Sequence, residues 1–189
     1  QKTLDAQAAI AREEQLGQVR ADSPQSRSLA DRCILGFNAG PPMTPGAYNN
    51  YVQITQGPGL ITLLVEMVHD VRVVPVDGRP RLPSAIRQYK GESRGRWEGR
   101  TLIIETTGFN GYTKLDTAGH PMSKDTVFTN TFLRVDSNTI QHTVTVHDPK
   151  NYTQDFMNVR TWRLKPATDV VMEYSCEENN MDNILSGAI

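Results

Sequence analysis

From Ala47 onward the chain breaks into short runs rich in β-branched and aromatic residues, each closed by glycine, proline, asparagine or aspartate. A helix would need an apolar stripe at three- to four-residue spacing sustained over several turns. These runs are too short for that and alternate at period two, so they read as strands. Residues 51–56 and 60–67 flank Gly57-Pro58-Gly59, a compact hairpin connection, and 71–76 follows before the Asp77-Gly78 turn. Residues 79–95 are basic, rich in turn formers and read mostly as loop, with room for a short strand at 86–89. Trp97 precedes Glu98-Gly99, a tight reversal into the β-branched strand 101–107. After a long connection over 108–124, strands at 126–134, 139–147, 155–164 and 170–176 repeat one rhythm, that of an antiparallel meander.

Alternation over 139–147 places Ile140, His142, Val144 and Val146 on one face, the inward one. The same rule groups Val170, Met172, Tyr174 and Cys176. The expected fold is all-β: an antiparallel, lipocalin-like β-barrel or sandwich of about eight to nine strands, enough to close around a small interior. A short N-terminal helix is expected over 2–20, which has no proline and only a loose apolar stripe of Leu4, Ala8, Ile10, Leu16 and Val19. Residues 22–46 carry Pro24, Pro41, Pro42 and Pro45 and read as an irregular surface segment. The domain reading is therefore 1–46 as helix and irregular segment, and 47–189 as the β-barrel domain.

Cys33 and Cys176 stand at opposite ends of the sequence. A bridge between them would close most of the chain into one loop and, in the chain-entropy account, stabilise the fold by roughly 4 to 5 kcal/mol. Two buried reduced thiols are the alternative. Neither cysteine has the spacing of a thiolate metal site.

At 189 residues the chain suffices for one well-buried core and not for two full domains. Its 20 Lys and Arg nearly cancel 21 Asp and Glu, so no general attraction to nucleic acid is expected. No apolar stretch approaches the roughly 20 residues that span a bilayer, and no membrane insertion is expected. The first residues lack the basic-then-apolar order of a secretory leader. A start at Gln1 fits a processed protein whose leader was removed, as it fits a shortened chain. GxSxG, P-loop and GxGxxG patterns are absent, which removes serine-hydrolase and nucleotide-dependent chemistry. No cofactor is expected.

A set of short motifs adds to this reading: Tyr48-Asn49-Asn50, Glu66-Met67-Val68-His69-Asp70, Asp77-Gly78-Arg79, GESRGRWEGRTL over 91–102, Glu105-Thr106-Thr107 with Phe109-Asn110, Asp148-Pro149, and the closing stretch from Cys176 to Gly187. Together they resemble a family of secreted proteins common in soil bacteria, over residues 28 to 189. The resemblance implies export, to a secreted or periplasmic location, and a compact β-rich domain; it carries no reaction. Two positions depart from the family pattern. Arg100 stands where an acidic residue usually follows the Trp-Glu-Gly turn, and His147 where one is frequent. Neither is a candidate for chemistry shared with that family.

The densest ionisable set on an expected strand is Glu66, His69, Asp70 and Arg72. In a regular strand Glu66, Asp70 and Arg72 would share a face while His69 pointed away with Met67, Val71 and Val73. A bulge near Val68 would bring Glu66 and His69 together. The functional reading makes Glu66 and His69 general base and acid in a cavity, with Arg72 stabilising developing negative charge. The structural reading is a cross-strand ion pair and a hydrogen-bonded core histidine.

His142 reads either as a satisfied core residue or as a ligand contact. HxH, HExxH and HxxxH spacings are absent, so no metal site is expected. Asn49, Asn50 and Gln53 precede or open the first strand, and Glu177, Glu178, Asn179 and Asn180 follow the last expected one. These could meet at one rim and orient a polar or sugar-like ligand, or simply serve turns. Arg94-Gly95-Arg96 with Trp97 could stack on and pair with an anionic or aromatic ligand, or form a solvated turn. Asp70 and Tyr174 complete the expected ligand contacts.

These features make small-molecule binding in the interior cavity of a secreted β-barrel the first expectation. A cofactor-independent lyase, isomerase or hydrolase using Glu66, His69 and Arg72 in that cavity is the second. An envelope interaction protein is the third.

Overall fold

The computed structural model describes residues 28–30, 32–36, 40–46, 48–116 and 118–176; the helix expected over 2–20 lies outside them, as do Glu177 and Asn179. Among the described residues, β1 (Val52–Gly57), β2 (Leu60–Val65) and β3 (Asp70–Pro75) form a three-stranded sheet in that order. A five-stranded sheet follows, again in chain order, of β4 (Glu92–Glu98), β5 (Thr101–Thr107), β6 (Val127–Arg134), β7 (Thr139–His147) and β8 (Phe156–Arg163). Every ladder is antiparallel. No ladder among the described residues joins β3 to β4 or β8 to β1.

The burial of each strand follows from its alternation. Leu60–Val65 and Thr101–Thr107 bury every second residue, and β7 buries His142, Val144 and Val146 while Gln141 and His147 face out. Ile61, Leu63 and Val65 of β2, Val74 of β3, Leu102 and Ile104 of β5 and Phe132 of β6 meet in one core cluster, so the two sheets share an apolar interior. A second cluster forms where the 108–126 connection folds over β6 and β7: Phe109 packs edge-on against Phe128 at 5.5 Å beside Met122, Val144 and Val146. Asp148 ties that connection down. It accepts bonds from Ser123 N–H (2.7 Å), Ser123 Oγ (2.8 Å), Thr126 Oγ1 (2.7 Å) and Asn151 Nδ2 (2.8 Å).

Three expectations change. Residues 92–95, read as loop, are the first half of β4, because Ser93 faces the core while the charges of Glu92 and Arg94 pair with each other. Residues 86–89 make only an isolated bridge, Gln88 to Phe109. Residues 170–176 lie outside any strand; Val170 and Met172 are exposed, so their alternation has no sheet to bury against.

Along the seam between the sheets, contacts advance in step on both strands. Asp70 pairs with Lys90, Arg72 bonds Ser93, and Gly95 lies beside Val74 and Val76. β3 and β4 thus run alongside each other in the same direction without a backbone ladder. A Cβ at position 95 would stand 2.7 Å from Val76 Cγ1, which is why glycine is needed there.

The chain divides into two compact units. Leu35–Ser175 holds both sheets; Gln1–Ile34 with Cys176–Ile189 forms the other. In the latter, Cys33 N–H bonds Ala30 O (3.0 Å), Ile34 N–H bonds Leu29 O (2.9 Å), and Cys33 is disulfide-bonded to Cys176 across 143 residues of sequence. A loop of that length gives the cross-link its expected entropic effect of about 4 to 5 kcal/mol.

Candidate functional site

β1 and β8 are the outer strands of their sheets, and a cleft lies between them. It comprises two adjoining spaces that share Val52, Ile54, Trp162, Arg163 and Leu164. One, of about 910 Å³, lies toward the start of β1 and the chain beyond β8 and is lined by polar groups including Asn50, Gln53, Arg160 and Lys165. The other, of about 640 Å³, reaches Ile61, Leu63, Leu102, Phe132 and Ile140. Its floor is therefore core. Trp97, 49% exposed, stands at its rim with Arg100, Arg134, Asp136 and Arg163, where the β4–β5 and β6–β7 turns and the end of β8 come together.

A polar cluster sits within the same apolar interior. Arg72, buried on the inward face of β3, donates from Nε to Ser93 Oγ (2.9 Å), from Nη2 to Thr106 Oγ1 (2.6 Å) and weakly from Nη1 to Met43 Sδ (3.7 Å). Ser93 and Thr106 also bond each other at 2.9 Å. Burial pushes the Arg72 pKa down to about 10, against the opposing pull of Asp70, so the guanidinium stays charged at neutral pH. Arg160 reaches the other side of the same segment, donating to Met43 O (2.6 Å) and Pro42 O (3.3 Å).

His142, opposite Arg160 in the β7–β8 register, is fully buried between Phe132, stacked at 4.4 Å, and Trp162, edge-on at 4.8 Å. Its Nε2 lies 2.9 Å from Asn130 Oδ1, which can only accept, so Nε2 carries the proton and Nδ1 is a bare acceptor. Among the described residues, His142 Nδ1 and Asn130 Nδ2 are buried without a hydrogen-bond partner. Burial, with the positive charges of Arg160 and Arg72 nearby, pushes the His142 pKa down to about 3.

The structure separates the expected acid-base set. After β2 the chain turns through a 3-10 turn, Met67–His69, with Val68 (φ 57°) and His69 (φ 40°) in left-handed backbone. Glu66 is buried and accepts Met172 N–H at 3.3 Å; His69 is exposed, with Nδ1 at 3.0 Å from Tyr174 O. Both side chains thus reach the 172–174 segment, and among the described residues no hydrogen bond joins them to each other. Asp70 pairs with Lys90 rather than Arg72. Among the described residues no three of His, Cys, Asp and Glu converge as a metal would require.

The other expected contacts disperse. Asn50 exchanges two bonds with the Gly46 backbone (2.8 and 2.9 Å), and Asn49 adopts φ 51° in the same turn region. Gln53 faces the cleft. Trp97 lies at the rim, but Arg94 and Arg96 are held by Glu92 and Glu98 and not by the cleft. Tyr174 packs against the core cluster, and burial raises its pKa. Sequence reading missed Ser93, Thr106, Asn130, Arg134, Arg160 and Arg163. Two of them left a signal, polar residues at inward parity: Asn130 between Phe128 and Phe132, and Thr106 after Leu102 and Ile104.

No protein-family profile, curated protein or solved structure matches this chain.

Proposed function

We propose that this chain binds a small molecule with an apolar body in the cleft between β1 and β8. The observation that carries the reading is the apolar wall of the 640 Å³ space, where Val52, Ile54, Ile140 and Trp162 from both sheets stay partly exposed over the buried core residues Leu63 and Phe132. Covering apolar surface is worth about 25 cal/mol per Å², so apolar side chains left uncovered in a cleft are surface that a ligand gains by covering. The volume lies within the roughly 300–1,000 Å³ of small-molecule sites. On this reading the sheets are the two walls of an unclosed, lipocalin-like barrel. Export, implied by the resemblance to secreted proteins, fits the Cys33–Cys176 bridge, because such bonds persist in oxidising compartments.

The acid-base alternative lacks comparable support, since the side chains of Glu66 and His69 bond the 172–174 segment and not each other. One observation favours the interaction alternative: Met157 and Val159 are exposed on β8, an edge strand that a partner could cover.

Fluorescence titration with the neutral apolar probe N-phenyl-1-naphthylamine tests the reading. Saturable one-to-one binding is expected, abolished by Ile54→Trp, which fills the mouth from a half-exposed position. A folded parent protein that gives no saturable signal would sink it, and binding that survives Ile54→Trp would move the site elsewhere, to the β8 face.

A further inference from the structure

The rim of the 640 Å³ space gathers several arginines that hold no carboxylate. Elsewhere Arg79, Arg81, Arg94 and Arg96 each hold one, from Asp77, Glu105, Glu92 and Glu98, while Arg87 and Arg160, bonded to backbone carbonyls, stand singly. At this mouth three arginines line the space against one acid, Asp136, and among the described residues none of the three forms a salt bridge. Their partners are neutral oxygens. Arg100 Nη2 donates to Arg134 O (2.8 Å) and Val135 O (3.5 Å), Arg134 donates to Asp136 O (3.2 Å) and Ser137 O (3.1 Å), and Arg163 Nη1 reaches Thr139 Oγ1 at 3.4 Å. The carboxylate of Asp136 is engaged by Asn138 N–H at 2.7 Å, with Arg163 acting on it at longer range.

Each guanidinium carries five N–H donors, so these bonds orient the groups while leaving donors unused. Carbonyl bonds also leave the positive charge uncompensated. Immediately inward, the wall changes to Leu102, Phe132, Ile140 and Trp162. A neutral apolar ligand would make no use of three such charges, and a small hydrophilic anion would make none of the apolar wall.

We propose that the ligand of this cleft is a single-chain amphiphile with a carboxylate head, of fatty-acid type, its tail against Leu102, Phe132 and Trp162 and its head at Arg100, Arg134 and Arg163. The proposal rests on the small-molecule reading and adds the chemical class. Arginine suits the task because its planar fork meets a carboxylate with two parallel bonds.

The test holds the tail constant and varies the head: calorimetric titration of the full chain with dodecanoate, methyl dodecanoate and dodecyltrimethylammonium, each below its micelle concentration. Dodecanoate is expected to bind about tenfold or more tighter than the ester, the yield of two or three solvent-facing charge contacts, with the cation weakest. The advantage should shrink with added salt, which needs no variant and so does not depend on a variant's folding. Arg163→Gln, whose rim bond is the longest, should bring dodecanoate toward the ester's affinity, while Arg96→Gln, on a paired arginine, should leave it unchanged. Equal binding of acid and ester, independent of salt, would overturn the head-group assignment while leaving the cleft reading intact. Failure of all three amphiphiles and of N-phenyl-1-naphthylamine would overturn both.

Discussion

His142 is a histidine held where it cannot easily take a proton. Its ring is buried between Phe132 and Trp162, and two guanidiniums lie close enough to oppose a further positive charge. Its folded pKa of about 3 lies below the ordinary 6.5, so between those values the unfolded chain binds a proton that the folded one refuses. Stability contributed by the neutral ring is complete above pH 6.5 and is lost as pH falls toward 3. The slope is about 1.4 kcal/mol per pH unit inside that window. Urea unfolding from pH 7 to pH 4 should show this loss, and His142→Phe should flatten it; an unchanged slope in the variant would mean that other groups bind the proton. The inward direction of His142 was legible from alternation alone, because Ile140, Val144 and Val146 share its parity. Its partner Asn130 and its charged neighbour Arg160 were not, since the β6–β7 and β7–β8 registers that place them across from it are long-range facts.

Among the elements, the 108–126 connection shows how one side chain organises a loop too long to hold itself. Asp148 is 2% exposed. Burial alone would raise its pKa, but the bonds from Asn151, Ser123 and Thr126 prevail and lower it to about 2 from 3.8. That shift corresponds to a contribution of roughly 2 kcal/mol, present above pH 3.8 and lost as pH falls through about 2, a window that begins near the acid end of that of His142. Asp148→Asn should lower stability at pH 7 by about the same 2 kcal/mol and speed hydrogen exchange at the amides of Ser123 and Lys150. Exchange that speeds uniformly over both sheets would instead mean that Asp148 supports the whole fold. At this scale the sequence was readable wherever a strand had one apolar face: β5 and β7 fall where alternation puts them. β4 did not, because its only inward residues of note are Ser93 and Gly95, chosen to receive Arg72 and to let Val74 and Val76 approach.

For the molecule as a whole, the seam between the sheets replaces a backbone ladder with side-chain bonds from Arg72 to Ser93 and Thr106. A charge buried without a directly bonded carboxylate is costly, and apolar residues of similar volume commonly replace such groups with little loss. Arg72→Met should therefore unfold within about 1 kcal/mol of the parent, since Ser93 and Thr106 keep their mutual bond. Arg72→Ala should cost roughly 2 to 4 kcal/mol through the cavity it leaves. Denaturant midpoints decide this, and a Met variant as damaged as the Ala variant would show that the bonds, not the volume, hold the seam. By itself the amino-acid order determined what depends on near neighbours: the identity of strands with one apolar face, antiparallel hairpins and which face of β7 turns inward, because period two and turn chemistry are local; it misread 92–95 and 170–176. Arg94 and Arg96 stood out in the chain, yet they are neutralised two residues away, and Arg100 was set aside on the strength of a resemblance. Only the tertiary structure decided that the outer strands β1 and β8 leave a cleft, and that Arg100, Arg134 and Arg163 share its rim. Strands separated by scores of residues acquire a common end only when their registers are set together, and no local pattern encodes that sum.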